Sequence, residues 1–548
     1  MRISPEKTRF PVNVWLRCGL LLSILCLPAC QVPPTPTPVL TTPIPEKLPT
    51  DNPFEPPPDY VLYVSQSGDT LAAIAARFET QPEGIISSEG IPAQGLIDPG
   101  LRLYLPAYQG ETTSAEIIIA DSEFIFSDSA TDFDMDSFVK SKGGKLSTYI
   151  EERTRGPMSG AQILSELAWD NSINPRLLLS LLEMSSGWVT GQPETLEEKN
   201  YPYHYINTTM GGIFKQSSWV ILQLMDGYYG WRQGKITQLT FKDRSTLRLA
   251  PSLNAGTVGV MTYLSRAYPR EEFAQKLAEL SAVHADLFGD ARQRSRLVEP
   301  IFPAGLQQPE MRLPFNPDET WLYTCGPHTS WGRRGQPLGA LDFAPPVGRT
   351  GCGTSTKWVT ASAPGLVIYA WNGRVLVDME EDGNVHTGWV ILYMHLATEG
   401  RVEVGTRLQV GERVGHPSCE GGYATGTHVH IARMYNGEWV LAEGGLPFIL
   451  SGSIASSAEG FCAGRLTRLS DGWVNVASYV GSSRSRICQP ESDKCTLYTP
   501  TPTFTRTPRK TATSMPTRTP RVTATPIISQ TPLTTTTPTL TVQATPTP

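Results

Sequence analysis

Apolar residues recur three or four positions apart through the middle of the chain, roughly from residue 120 to residue 305. That spacing is typical of helices that bury one face. Pro175 follows Asn174 directly before one of these runs, and proline is favoured in the first turn of a helix. We therefore expect a mainly α-helical domain over residues 120–305, with helices on the runs 163–168, 177–182, 214–227 and 258–268.

The pattern changes at about residue 312, where short apolar runs are separated by glycine and proline. The runs 366–369 and 375–377 have the length of strands and are bounded by such breaks. Several short strands with turn residues between them are typical of antiparallel sheets. Residues 312–498 are therefore predicted to form a mostly antiparallel β domain.

Residues 59–107 form a smaller unit that combines both patterns. Strands are predicted at its two ends, where apolar and other residues alternate. Asp69 or Thr70 can cap a first helix, because both side chains accept hydrogen bonds from a helix amino terminus. Ile85 and Ile86 are assigned to a second short helix. The expected order of elements is βααβ.

The first 29 residues have the order of a secretory signal peptide. Basic residues precede a short apolar run, 18–27, and small residues follow it before Cys30. The run is too short to span a bilayer as a helix of the mature protein. Leu27-Pro28-Ala29-Cys30 resembles the lipobox of bacterial lipoproteins, which implies that Cys30 is lipidated and anchors the protein to the outer face of a membrane. An ordinary secreted protein is the alternative.

Two segments are rich in proline and threonine, residues 30–58 and residues 499–548. This composition favours polyproline II over a packed core, so both are predicted to be disordered. The second segment has five basic and no acidic residues. It is interpreted as a tail that binds anionic polymers or carries O-linked sugars, and an inert solvated tail is the alternative. The net charge of the 548 residues is −6, and this balance gives no indication of a nucleic-acid partner.

Six cysteines remain once the signal peptide and Cys30 are set aside, and all six lie in the last third of the chain. An even number of cysteines in an exported protein predicts disulfide bonds. We expect Cys462 to pair with Cys488 or Cys495. A cysteine-rich metal site is the alternative.

Two histidines that stand two residues apart, His428 and His430, carry the candidate chemistry. On a strand, side chains at i and i+2 point to the same face, so both imidazoles would enter one cleft. One can bind a metal ion and the other can carry a proton. His328, Asp342 and His395 lie upstream, and three nitrogen or oxygen ligands with a water form the usual catalytic zinc site. The remaining histidines are interpreted as solvated residues: His204, His284, His386 and His416.

Residues 59–107 resemble a LysM module, the βααβ domain that binds N-acetylglucosamine chains of peptidoglycan or chitin. The resemblance rests on the turn Gly68-Asp69-Thr70-Leu71 and on Ile97-Asp98-Pro99-Gly100 before the last strand. It departs from the family at Glu89 and Leu101, where asparagine and glutamine are usual. A spacer role is the alternative. The resemblance implies that the glycan contacts Gly68, Asp69, Thr70, Leu71, Gly90 and Ile91.

The segment from Asn174 to Trp188 resembles the catalytic helix of lytic transglycosylases, which implies a lysozyme-like fold for residues 120–305. In that family the acidic glutamate stands ten residues after the proline, and Ser185 occupies this position here. Serine cannot protonate a glycosidic oxygen. Glu183 lies two residues earlier, about 200° away around the helix. We expect a lysozyme-like domain that has lost its acid. A glycosidase that uses Glu183 is the alternative.

Residues 315–452 resemble zinc metalloendopeptidases of the lysostaphin and β-lytic family, which cut peptide bridges of peptidoglycan. The resemblance rests on the segments Cys325–Gly332, Leu341–Phe343, Tyr393–His395 and Cys419–His430. It implies that His328, Asp342 and His430 bind Zn2+, and that His428 and His395 line the attacking water and the oxyanion.

One position departs from many members of that family. They place the first zinc ligand four residues before the aspartate, where this chain has Leu338. The β-lytic branch places it farther upstream, as His328 is placed here. The sequence as a whole predicts a lipid-anchored, monomeric zinc hydrolase of the cell envelope that acts on peptidoglycan. The rival class is a non-catalytic peptidoglycan-binding or regulatory protein, which would be expected to lack one or more of the three ligands.

Overall fold

The computed structural model describes residues 55–331, 335–346, 351–460, 462–490 and 492. The predicted signal peptide, Cys30, nearly all of the 30–58 linker and the 499–548 tail lie outside these residues. None of the helices in the described ranges has both the length and the hydropathy needed to cross a membrane. The described residues from 58 onward belong to one compact unit.

Two antiparallel strands and one α-helix form most of the small amino-terminal part: β1 (Tyr60–Val64), α1 (Leu71–Phe78) and β2 (Arg102–Pro106). Thr70 caps α1 by accepting a hydrogen bond from the amide of Ala73, as the sequence predicts. A second short helix is present as a 3₁₀ turn at Pro82–Gly84, so its predicted position at Ile85 and Ile86 is wrong. Ile86 exchanges backbone hydrogen bonds with Tyr104 of β2, so this segment is extended and adds to the sheet.

Helices dominate the region from residue 121 to residue 295, and the four predicted helical runs are confirmed as α4, α5, α7 and α8. Asn174 accepts a hydrogen bond from the amide of Arg176, Pro175 occupies the first turn of α5, and Gly187 ends that helix in the left-handed conformation. The elements are α2 (Asp121–Phe124), α3 (Met135–Lys142), β3 (Ile150–Arg153), β4 (Gly156–Ser159), α4 (Gly160–Asn171), α5 (Pro175–Ser186), α6 (Leu196–Asn200), α7 (Ile213–Arg232), β5 (Gln238–Thr240), β6 (Thr246–Arg248), α8 (Ala255–Ala267), α9 (Arg270–Phe288) and α10 (Ala291–Ser295).

Antiparallel strands follow, and the predicted runs 366–369 and 375–377 are confirmed within β10 and β11. The large sheet has the strand order β13-β10-β11-β12-β15-β8-β7-β21, with β16 paired to β15. The strands are β7 (Trp321–Thr329), β8 (Leu338–Ala344), β9 (Val359–Thr360), β10 (Gly365–Trp371), β11 (Arg374–Asp378), β12 (Trp389–Met394), β13 (Arg407–Leu408), β14 (Arg413–Gly415), β15 (Val429–Tyr435), β16 (Glu438–Trp439), β17 (Ile449–Leu450), β18 (Ser453–Ser457), β19 (Gly464–Arg468), β20 (Val474–Val476) and β21 (Arg486–Ile487).

The helical region and the large sheet share one continuous hydrophobic core, which extends from Ile119 to Ile487. Buried polar contacts cross the same boundary. The guanidinium of Arg232 on α7 lies 2.9 Å from the carboxylate of Glu438 on β16, and the hydroxyl of Tyr228 donates to that carboxylate at 2.8 Å. The fold is therefore a mixture of helices and antiparallel sheet, as expected.

Two disulfide bonds are described with both partners, Cys325–Cys462 and Cys352–Cys419. The predicted pairing of Cys462 with Cys488 or Cys495 is wrong, because the β18–β19 connection brings Cys462 against β7, which carries Cys325. Cys488 is also disulfide-bonded. Sequence separation gave no guide to this pairing, since residues far apart in the chain become neighbours across the sheet.

Two of the histidines predicted to be solvated are instead buried. His386 stacks on Phe126 with a ring-centroid distance of 4.2 Å, at the boundary between the helical region and the sheet. His284 lies inside the helical region, with Nδ1 2.9 Å from the hydroxyl of Ser180. Both imidazoles are buried by tertiary contacts that the neighbouring sequence does not indicate.

Candidate metal centre

Neighbouring strands of the large sheet bring the candidate site residues together. β8 carries Asp342 and pairs with β7, which carries His328, on one side and with β15 on the other. The register places His430 of β15 directly opposite Asp342. His428 immediately precedes β15, and His395 immediately follows the next strand, β12. Four histidines from three parts of the sequence thus surround one aspartate.

A bulge in β7 places His328 in this group. The pairing of β7 with β8 shifts between Cys325 and His328, as expected where one strand carries extra residues. Gly326 lies in the bulge with φ of +131°, and a Cβ atom there would come within 2.8 Å of the carbonyl oxygen of Ala340. Only glycine meets both requirements, so Gly326 is needed for the approach of His328 to Asp342.

The ligand atoms converge on one oxygen of Asp342. Oδ1 lies 2.8 Å from Nε2 of His328 and 3.2 Å from Nδ1 of His430. Two ligands at a zinc–nitrogen distance of ~2.0–2.1 Å in a tetrahedral site lie roughly 3.3 Å apart. Both distances from Asp342 are therefore close to the separation of two ligands around one metal ion.

The orientation of His430 leaves a lone pair directed at Asp342. Its Nε2–H donates to the carbonyl oxygen of Ser330 at 2.9 Å, so Nδ1 carries no proton in the neutral ring. Burial lowers the pKa of His430, which disfavours a protonated ring. Two acceptor atoms 3.2 Å apart, Nδ1 and the carboxylate oxygen, fit a bound cation, and the two-nitrogen, one-oxygen donor set suits Zn2+.

Cys325 also lies near the group, since it offers a ligand atom within 4.8 Å of those of His328 and Asp342. However, Cys325 forms the disulfide with Cys462 and has no thiolate to give to a metal ion. The cysteine-rich metal site considered from the sequence therefore does not form at this place. His430 is the third ligand that the geometry supplies.

The second pair of histidines lies beside the first. The ring centroids of His395 and His428 are 4.5 Å apart, and Nε2 of His428 lies 3.4 Å from Oδ2 of Asp342. Nδ1–H of His428 donates to the carbonyl oxygen of Gly426 at 2.7 Å, and Nδ1–H of His395 donates to that of Glu420 at 2.9 Å. Both neutral rings therefore keep Nε2 free to accept a proton.

Burial and neighbouring groups give Asp342 and His395 different charge states. Burial alone would raise the pKa of Asp342, but the neighbouring His328 and His428 and the hydrogen bond from Nε2 of His328 hold it well below its usual range. Burial, followed by the charges of His428 and His430, lowers the pKa of His395 to about 3. At neutral pH the site thus holds an ionised carboxylate and a neutral His395.

His395 itself has a strained backbone, with φ of +66°. The left-handed region is uncommon for a residue with a side chain and persists where the surroundings enforce it. The amide and the hydroxyl of Ser418 both donate to the carbonyl oxygen of His395, at 2.6 and 3.0 Å. The disulfide Cys352–Cys419 closes the neighbouring loop next to Glu420. These contacts hold His395 in the orientation that faces His428.

The predicted glycan-binding residues are only partly exposed. Gly68 is buried, and a Cβ there would meet the guanidinium of Arg232. Asp69 is 1% exposed and accepts hydrogen bonds from Tyr63, from Arg77 and from the amide of Gln66. The first turn is thus packed against the helical region. By contrast, Thr70, Leu71 and Ile91 are half-buried and Gly90 is exposed.

The structure accounts for Glu183 on α5 without a catalytic role. Its carboxylate accepts hydrogen bonds from the amides of Val189 and Thr190 at 2.9 and 3.1 Å, and from the hydroxyl of Thr190. These contacts tie the end of α5 to the following turn. All of its described hydrogen bonds serve the local fold, which argues against the glycosidase alternative.

Several groups that orient the site were not found from the sequence. The carbonyl oxygens of Ser330, Glu420 and Gly426 each fix one imidazole. Backbone oxygens carry no side-chain signal, so no motif search would have found them. Glu420 had a partial signal, because it stands in the segment that supports the family resemblance.

Comparison with known proteins adds to this geometry. Residues 117–301 match the family model described as LasA, N-terminal domain, which covers nearly all of the predicted helical domain. Protease LasA of Pseudomonas aeruginosa strain UCBPP-PA14 is 25% identical over 356 residues, which are 61% of this chain and 78% of that protein. Beta-lytic metalloendopeptidase of Achromobacter lyticus is 28% identical over 160 residues, which are 28% of this chain and 39% of that protein.

Solved structures show more limited similarity. The M23 metalloprotease pseudoalterin is 24% identical, with 32% of this chain and 96% of that chain covered and a TM-score of 0.26. The catalytic domain of lysostaphin from Staphylococcus simulans is 23% identical, with 23% and 89% covered and a TM-score of 0.17.

The chain is thus similar to LasA and to β-lytic metalloendopeptidase, in agreement with the resemblance found in residues 315–452. The chain is a zinc metalloendopeptidase, as the sequence predicts.

Proposed function

We propose that this protein hydrolyses peptide bonds in the stems or cross-bridges of peptidoglycan, with a zinc ion held by His328, Asp342 and His430. The observation that carries the proposal is the convergence of Nε2 of His328 and Nδ1 of His430 on Oδ1 of Asp342. The pair His395 and His428 lies beside these ligands with both Nε2 atoms free. A metal-binding trio next to a proton-accepting pair has the composition of a hydrolytic site.

Zinc bound there would polarise the scissile carbonyl and lower the pKa of a water toward ~7. His428 is the residue best placed to take the proton from the attacking water. Its Nε2 lies 3.4 Å from Oδ2 of Asp342, and the carboxylate stabilises the imidazolium that would form. Its Nδ1–H stays bonded to the carbonyl of Gly426 throughout, so the ring keeps its orientation while the proton moves.

His395 serves the other end of the reaction in this proposal. It is 3% exposed and neutral at neutral pH, and its backbone is held by Ser418. Its ring lies 4.5 Å from that of His428, so both can reach one reacting carbonyl group. Because Nδ1–H of His395 is held by the carbonyl of Glu420, its Nε2 would first have to accept the proton that His428 takes from the water. The Nε2–H formed in this way would donate to the oxyanion and then pass the proton to the leaving amine.

The remaining assignments belong to the same proposal. The small amino-terminal part would hold the enzyme on glycan strands through its LysM-like surface, where Thr70, Leu71, Gly90 and Ile91 are the accessible positions. The helical region would be a lysozyme-like fold without its acid. Lipidated Cys30 would anchor the protein outside the cytoplasmic membrane, and the two disulfide bonds suit an oxidising, extracytoplasmic location.

A zymogram on purified cell walls tests the proposal. The zinc-loaded protein should clear the wall, and a chelator or His430→Ala should abolish clearing. His416→Ala is a matched control, because His416 binds the carbonyl of Lys357 outside the metal centre and its loss should leave clearing unchanged. Clearing by the His430→Ala protein would overturn the zinc mechanism. Absence of clearing by the zinc-loaded protein would favour the alternative, a non-catalytic peptidoglycan-binding or regulatory protein.

A further inference from the structure

We propose that Asp170 and Arg374 are positioning residues for the metal centre, so that the helical region is part of the support of the active site. The inference rests on the proposed function and extends it. Asp170 lies near the end of α4, and Arg374 begins β11 of the large sheet. Nη1 of Arg374 lies 3.1 Å from Oδ1 of Asp170, and the two side chains are 6% and 15% exposed.

One branch of this contact leads to the zinc ligand His430. The guanidinium of Arg374 lies over the indole ring of Trp331, 4.5 Å from its centroid, and Trp331 also donates a hydrogen bond to Asp170. Trp331 directly follows Ser330, whose carbonyl oxygen holds Nε2–H of His430. Asp170 and Arg374 thus clamp the residue next to the carbonyl that orients His430.

A second branch leads to His395. Arg374 follows Gly373 in the turn between β10 and β11, and the carbonyl oxygen of Gly373 accepts a hydrogen bond from the amide of Leu396 at 3.0 Å. Gly373 also packs directly against Glu420, since a Cβ on Gly373 would lie 2.4 Å from the carbonyl carbon of Glu420. That carbonyl fixes Nδ1–H of His395. Arg374 therefore lies next to the support of both orienting carbonyls, those of Ser330 and Glu420.

The position of the pair at the boundary explains why both partners are needed. Arg374 is 5% exposed, and its Nε has no hydrogen-bond partner in the described structure. Among the described residues, Asp170 forms the only ion pair with it. A buried cation that loses its counter-ion is strongly unfavourable and must move toward solvent. Because Arg374 lies over Trp331 and directly follows Gly373 in the chain, its displacement would disturb both branches at once.

Steady-state kinetics on a soluble glycine-rich peptide, with zinc affinity measured by competition with a chelating dye, tests the proposal on the full-length protein. Asp170→Ala should lower kcat at saturating zinc about tenfold and weaken zinc binding by a similar factor, with little change in KM, as is usual when ligand-orienting groups are removed. Asp170→Glu, which keeps the charge, should recover most of both losses.

Asp128→Asn is the matched control. Asp128 also belongs to the helical region and accepts a hydrogen bond across the boundary, from Asn384 at 2.6 Å, but that contact lies beyond the opposite end of β11. It should leave kcat and zinc affinity unchanged. Wild-type kcat and zinc affinity in folded Asp170→Ala would overturn the inference, and so would equal losses in Asp128→Asn. If Asp170→Ala does not fold, Asp170→Asn gives the same readings. An inactive wild-type protein would instead count against the proposed function.

Discussion

His430 and Asp342 face each other across adjacent strands, with Nδ1 of the histidine 3.2 Å from Oδ1 of the aspartate. Both atoms accept hydrogen bonds, because Nε2–H of His430 is committed to the carbonyl of Ser330. Such a pair is stable only with a proton or a metal ion between its atoms. Since burial lowers the pKa of His430, a metal ion is the better occupant.

Removing the charge of Asp342 is expected to abolish zinc binding. Asp342→Asn keeps the shape of the side chain but removes the negative charge that faces three imidazoles. Zinc affinity should fall by more than the ~10–100-fold typical of residues that only orient ligands. The measurement is a competition titration with a zinc chelator. Near-normal affinity in Asp342→Asn would contradict the assignment of this residue as a ligand.

The proton-transfer pair is expected to behave differently from the ligands. His428→Gln should lower kcat by roughly 10²–10⁴-fold, the usual contribution of a general base, because the free Nε2 is lost. Zinc stoichiometry should remain at one per chain, since His328, Asp342 and His430 are untouched. Metal analysis of the same preparation used for kinetics provides the control. Loss of zinc together with activity would assign His428 to the ligand set instead.

The sequence predicts which histidines and which aspartate lie together, but it does not predict the groups that support them. The segment His428-Val429-His430 predicts two imidazoles on one side of the chain, because alternate residues of a strand share a face. His328 and Asp342 follow from the resemblance, although the bulge at Gly326 that brings them together depends on packing against Ala340. The roles of Asp170 and Arg374 arise only when α4 meets the sheet, and no local pattern in the sequence encodes that contact.

The misassigned positions have the same cause. Ile85 and Ile86 have apolar side chains that suit a helix or a strand, and pairing with Tyr104 decided for the extended form. The sequence predicts that Cys462 pairs with the next cysteines along the chain, whereas the antiparallel sheet places Cys325 beside it. The sequence predicts a solvated His386, but Phe126 of the helical region covers its ring. In each case a tertiary contact overrode a local preference.

The buried His386 is expected to make stability depend on pH. Burial lowers its pKa from 6.5 to about 4 in the folded protein. Between these pH values the unfolded chain binds a proton at His386 and the native protein does not, so stability falls as pH falls, by about 1.4 kcal/mol per pH unit. The free energy of unfolding, measured with urea at a series of pH values from 7.5 to 4.5, should fall less steeply with pH for His386→Phe than for the wild type.

The comparison has an internal reference above pH 7, where His386 is neutral in both states. There the difference in free energy of unfolding between the two proteins should not change with pH. Parallel slopes between pH 6.5 and pH 4.5 would show that His386 does not titrate in this way.

The disulfide Cys352–Cys419 is expected to affect catalysis more than zinc binding. It closes a loop with a sequence separation of 67 residues, and loop closure of that size contributes about 4 kcal/mol to stability. Cys419 directly precedes Glu420, whose carbonyl orients His395. By contrast, the three proposed zinc ligands lie on strands outside the loop that this disulfide closes. Replacing both cysteines by serine should therefore lower the melting temperature and reduce kcat while leaving zinc affinity near that of the wild type. Kinetics at a temperature well below the melting transition, with zinc titrated in parallel, separates the two effects. An unchanged kcat would mean that Ser418 and the Gly373 turn hold the Glu420 carbonyl without the disulfide.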